Sequence, residues 1–141
     1  MKTNELRIGN YVNIEGDVVK VKEIYDKSIH YANGEYESYA TEDFIQPIEL
    51  TEEILVKIGF KKVFQSAVTK GRFELNINIG DCEFVNIVYH IYKSGNPNFN
   101  ITQRRCASFC DNSIYKNNVK YLHELQNAYY CLTSEELEVK L

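Results

Sequence analysis

The sequence predicts an α+β fold: a small SH3-like β-barrel, a short helix, then an antiparallel sheet packed by a C-terminal amphipathic helix. Three observations carry this. Residues 6–48 break into short alternating runs punctuated by turn residues. Residues 63–118 return to a period of two, with strict alternation at Phe73, Leu75, Ile77 and Ile79 against Arg72, Glu74, Asn76 and Asn78. The stretch from Tyr121 to Leu132 has the helical period. The division expected is 1–50 for the β subdomain and 51–141 for the rest, the two forming one compact unit.

Taken in order, Ile8–Ile14 alternates and turns at Glu15-Gly16-Asp17, and Val19 and Val21 continue a second strand. Asn33-Gly34 lies between Ser28–Ala32 and Tyr36–Tyr39. An Asn-Gly pair favours a type I′ hairpin, which needs positive φ at both central residues. A further strand, Phe44-Ile45-Gln46, stops at Pro47, which has no N–H for a ladder. Thr51 then caps a helix whose first turn holds Glu52 and Glu53, with Leu50 and Leu55 as a staple. Gly59 and Phe60 supply its Schellman ending. Phe84–Tyr92 is apolar on both faces and reads as a central strand. Phe99–Thr102 and Cys106–Cys110 are two more strands, followed by a turn at Asp111-Asn112. The closing helix starts near Asn117 or Asn118. Thr133 and Glu136 repeat a capping-box pattern.

Composition narrows the function classes. The formal net charge of −4 argues against generic nucleic-acid binding, which wants a basic surface. The charge is uneven: −6 over residues 1–60, +5 over 61–120 and −3 over 121–141. Neither a signal peptide nor a run of ~20 apolar residues occurs, so a cytoplasmic protein is expected. Its four cysteines, Cys82, Cys106, Cys110 and Cys131, are then expected as reduced thiols. Asn (14), Ile (14), Lys (12) and Tyr (11) are abundant. That usage suits a Tyr/Asn-rich recognition surface, and it also suits an AT-rich genome of the kind many phages carry.

No catalytic or cofactor motif appears, and no enzymatic activity or cofactor is expected. The only close cysteine pair is Cys106 and Cys110, and neither His90 nor His123 has a second ligand at i+3 or i+4. Structural zinc wants two such pairs, so no metal is expected. No Gly-x-Ser-x-Gly elbow or Gly-rich phosphate loop occurs. The acidic pairs Glu52-Glu53 and Glu135-Glu136 sit where helix capping accounts for them.

Two candidate surfaces remain. In the closing helix, Tyr121, Leu125, Ala128, Tyr129 and Leu132 gather as a core stripe with Leu122 at its edge. Opposite lie His123, Gln126, Asn127 and Tyr130, a neutral face centred on a tyrosine, where a plain solvated face would carry Glu and Lys. These four are the residues expected to contact a protein partner. The bland alternative packs them under a loop of the same chain, with their amides satisfied internally. The second surface is the basic middle, Lys61, Lys62, Lys70, Arg72, Arg104 and Arg105, interleaved with Phe64, Phe73, Tyr92 and Phe99. A basic sheet with exposed aromatics is a stacking platform for single-stranded nucleic acid.

Two stretches carry a resemblance. One is Asn4-Glu5-Leu6-Arg7-Ile8-Gly9-Asn10-Tyr11-Val12, linked to Pro47-Ile48, Leu50–Leu55 and Gly59-Phe60. The other is Leu122-His123-Glu124-Leu125-Gln126-Asn127 with Tyr129, then Leu132-Thr133, Glu135-Glu136 and Leu137. The chain resembles uncharacterised small accessory proteins of phages and mobile elements of gut bacteria. The resemblance covers the two ends and the first helix. It implies an accessory gene product acting on a host or phage component, and it carries over no catalytic residues. The leading expectation is therefore a non-enzymatic protein that binds a macromolecular partner, such as a host-defence component. The alternatives are single-stranded nucleic-acid binding through residues 61–120, and sequestration of a small molecule or nucleotide signal between barrel and sheet.

Overall fold

Among the described residues, the computed structural model holds two five-stranded antiparallel sheets, two α-helices and a 3-10 turn at Thr3–Glu5. It describes residues 1–64, 69–80, 83–94, 97–105, 108–117 and 119–140; at 64, 79–80, 83, 103–105 and 108–117 the description is of the backbone. The α+β class is as the sequence predicts. The chain divides into two units: Met1–Leu50 with Tyr121–Val139, and Thr51–Lys120 with Lys140.

The first unit holds β1 (Tyr11–Ile14), β2 (Asp17–Ile24), β3 (Ser28–Asn33), β4 (Tyr36–Thr41) and β5 (Ile45–Gln46), in the order β4-β3-β2-β1-β5. Alternation sends Val12, Ile14, Val19, Val21, Ile29, Ala40 and Ile45 to one buried cluster, which Leu6 joins. No closed barrel is formed by the described strands.

Two of the three hairpins of this meander, β1–β2 and β3–β4, have two-residue loops. Ile14 pairs with Asp17, so Glu15 and Gly16 are the loop, and both have positive φ (55° and 103°). That is the type I′ pattern. The Asn33-Gly34 expectation is off by one residue. Asn33 pairs with Tyr36, which leaves Gly34 and Glu35 as the loop, and only Gly34 (φ 63°) is left-handed. A lone glycine at the first central position is the type II′ pattern.

The second unit holds α1 (Glu52–Lys57), β6 (Lys61–Phe64), β7 (Thr69–Gly80), β8 (Glu83–Tyr92), β9 (Pro97–Arg105) and β10 (Ser108–Asn117). Its sheet is a plain meander, β10-β9-β8-β7-β6. The Thr51 hydroxyl accepts the Ile54 N–H at 3.3 Å, and the Phe60 N–H reaches back to Leu55 O at 2.9 Å past Gly59 (φ 100°). These are the expected cap and Schellman ending. Strand β8 is central, and Val85, Ile87, Val88 and Tyr89 are buried on it with Phe73 and Phe99 from its neighbours. Asp111-Asn112 is not a turn: β10 runs through it, and its pairing with β9 shifts register between Ser108 and Asn112. Such a bulge absorbs turn-forming residues without reversing the chain.

The closing helix, α2 (Leu122–Thr133), belongs to the first unit, where it meets β1; packing on the second sheet was expected. It also starts later than expected. Strand β10 occupies residues to Asn117, Leu122 N–H bonds Ile48 O at 2.8 Å, and Glu124 accepts the Tyr121 N–H at 3.2 Å. Thr133 is the last helical residue, and its hydroxyl donates to Tyr129 O at 2.9 Å, so it caps no following helix.

Candidate functional site

The face of α2 offered as a partner surface turns inward. Buried residues of the helix are Leu122, His123, Leu125 and Gln126, so the buried stripe is rotated from the one its apolar residues define. The cause is polar. Besides burying Leu122 and Leu125, helix α2 meets the backbone leading into β1, which offers an N–H and a carbonyl. The Gln126 amide oxygen accepts the Tyr11 N–H at 2.9 Å, and its NH₂ donates to Gly9 O at 3.3 Å. Asn10, fully buried, donates from its side chain to Asn127 Oδ1 at 3.0 Å and accepts the Arg7 N–H at 2.8 Å. Asn127 in turn donates to Glu5 O at 3.2 Å. His123 is 3% exposed, and its ring lies parallel to that of Tyr121 at 5.9 Å.

The alternative reading of that face, as one packed against its own chain, therefore describes His123, Gln126 and Asn127. Of the four residues, Tyr130 alone is exposed, and even its ring is covered by the Arg7 guanidinium at 3.9 Å from the centroid. Arg7 also donates to both carboxylate oxygens of Glu136, at 2.5 and 2.9 Å. The hydrogen bonds from Arg7 hold Glu136 below the usual carboxylate range, partly offset by burial.

The basic middle is less of a platform than its sequence suggests. Lys61, Lys62 and Lys70 are exposed, and Arg72 is half-buried. Lys62 pairs with Glu52 and Arg72 with Glu74, so two of these four cations are engaged within their own unit. Phe73 and Phe99 are fully buried, which removes two of the four stacking candidates. His90 lies opposite Arg72 and stacks with Tyr92 at 5.9 Å. Burial, then the Arg72 charge, lowers its pKa, so it adds no cation near neutral pH. Arg104 and Arg105 sit on β9 opposite Phe84 and Glu83; their side chains, and that of Phe64, lie outside the described residues. So do Cys82, Cys106 and the side chain of Cys110. Cys131 is a free, exposed thiol. Among the described residues there is no cluster of three or more His, Cys, Asp or Glu able to hold a metal. No described helix is long and apolar enough to cross a membrane.

Sequence reasoning missed the surface that the first unit does present. Its edge strand β4 is exposed at Tyr36, Glu37, Ser38 and Tyr39. Two adjoining cavities, of about 280 and 350 Å³, share Ile14, Glu15, Tyr31 and Ser38 in their walls. Asp17 and Tyr36 are also among the residues of one, and Tyr39 and Phe44 among those of the other. The His30 ring stacks at 4.8 Å on Tyr39, which also lines the second cavity, with Glu23 and Glu37 carboxylates 3.9 and 3.5 Å from its nitrogens. Tyr25 donates to Glu23 and is 6.0 Å from Tyr39, and that hydrogen bond is the main cause of a phenol pKa pushed up to about 12. The signal available in the sequence was the density of tyrosine and carboxylate from 15 to 44, which strand alternation alone divides between core and solvent.

No family model, curated protein or solved structure matches this chain.

Proposed function

We propose that the chain is a non-enzymatic protein that binds a basic macromolecular partner, and that the first unit carries the contact. The observation behind this is the division of charge. The first unit holds 5 Lys/Arg against 14 Asp/Glu, a net −9, and the second holds 11 against 6, a net +5. A field of that sign attracts a cationic surface and repels nucleic-acid phosphates. The exposed tyrosines at 25, 36 and 39 add the residue type enriched where protein surfaces meet.

The partner surface moves from α2 to the sheet. Gly9, Asn10, Gln126 and Asn127, all within the stretches that resemble phage and mobile-element accessory proteins, are taken up in joining the two ends of the unit. What the resemblance supplies is context: an accessory protein acting on a host component in the cytoplasm, for instance one of host defence. The layout also favours an SH3-like ancestry. A four-strand meander whose fifth strand returns beside β1 is the connectivity of such a barrel, left open here.

The test uses the full chain, immobilised in host lysate, with captured proteins quantified by mass spectrometry. Capture of basic proteins that is lost on reversing Glu15 and Asp17 to lysine, and kept on reversing Lys61 and Lys70 to glutamate, supports the reading. Loss on the second pair alone supports single-stranded nucleic-acid binding through the basic unit, with the steep salt dependence that phosphate contacts bring.

A further inference from the structure

We propose that the groove formed by the two adjoining cavities of the first unit seats the Lys or Arg side chains of an extended segment of the partner. This rests on the reading of the chain as a binder of basic proteins, and names the site and the recognised chemistry. The groove wall follows β4, with Tyr36 and Ser38 in one cavity and Ser38, Ala40 and Thr41 in the other, so an occupant runs along the strand. Each cavity is at the small end of ligand sites and has room for one long side chain.

The lining chemistry selects the occupant. Tyr31, Tyr36 and Phe44 offer ring faces, and Glu15 and Asp17 offer carboxylates. Among the described residues, no Lys, Arg or His lines either cavity. Ring faces beside carboxylates attract an ammonium or guanidinium whose aliphatic stem packs on the rings. Glu15 is the first residue of the type I′ loop between β1 and β2. It is one of only two non-glycine residues among those described with positive φ, a conformation that Gly or Asn adopts far more readily. Glu15 lines both cavities.

The experiment measures fluorescence anisotropy of the full chain with three labelled probes: a peptide alternating lysine and serine, one alternating glutamate and serine, and a short oligothymidine. Glu15→Asn removes the carboxylate and suits the left-handed backbone, and Tyr36→Ser alters a residue that is 83% exposed, so neither threatens the fold. Glu138→Gln makes the same charge change as Glu15→Asn at an exposed position of the same unit outside the groove. Binding of the basic peptide alone, weakened about threefold or more by each groove variant and little by Glu138→Gln, is the expected result. Equal weakening by Glu15→Asn and Glu138→Gln overturns the groove and leaves the binder reading intact, since attraction is then diffuse. Failure of the wild type to bind the basic peptide, or a preference for oligothymidine, overturns both.

Discussion

The side-chain amide of Gln126 accepts the Tyr11 N–H at 2.9 Å and donates to the Gly9 carbonyl at 3.3 Å, so one residue of the closing helix completes the backbone bonding of the strand entry. Gln126 is fully buried, and water cannot take its place. Gln126→Leu keeps the volume and leaves both backbone groups unsatisfied. A loss of about 2–4 kcal/mol is expected from the two groups together, read from urea unfolding midpoints.

Gly9 tests the same junction from the other side. Its φ is +93°, and a Cβ there would lie 3.1–3.3 Å from the Glu136 carboxylate. Gly9→Ala combines a left-handed backbone cost of about 1–2 kcal/mol with displacement of Glu136 from Arg7. The stability loss should exceed that of Glu136→Gln, compared in parallel melts.

Acid should weaken this contact in a defined direction. The folded Glu136 carboxyl sits below its ordinary range because Arg7 donates to it. Its contribution is thus present above the ordinary carboxylate pKa and is lost as pH falls through the lowered value. The carboxylate is 45% exposed, so the contribution is small, under about 1 kcal/mol, and screened by salt. The difference in unfolding midpoint between wild type and Glu136→Gln should be largest near neutral pH and close in acid.

In the second unit, the buried Tyr89 hydroxyl donates to Val119 O at 2.9 Å. Tyr89→Phe leaves that carbonyl without this donor in an apolar core, and a cost of about 1–3 kcal/mol is expected in the same urea assay.

Helix α1 and strands β7 and β8 were legible because their signals are local or strictly periodic. Thr51 and Gly59 act on their own backbone neighbours, and the alternation about Phe73 needs only one apolar partner face. The fate of α2 was not legible. Its partner is a polar backbone from the far end of the chain, and a glutamine chosen to satisfy that backbone looks, by composition, like a solvent-facing residue. The same limit hid the groove. Glu15 is read from sequence as a turn residue, and only the curl of the sheet brings it beside Tyr31 and Tyr36. The α2 start was misplaced for a related reason: β10 extends to Asn117 through strand pairing, which the local Asn-Asn signal cannot report.

The most direct measurement takes Glu15→Gly and reads two quantities from one variant. Glycine relieves the left-handed backbone at φ 55°, so stability should rise by about 1 kcal/mol. The same change removes the groove carboxylate, so affinity for the lysine–serine peptide should fall. Higher stability with weaker binding is the expected outcome. Higher stability with undiminished binding would contradict the account, because Glu15 would then be a turn residue and nothing more.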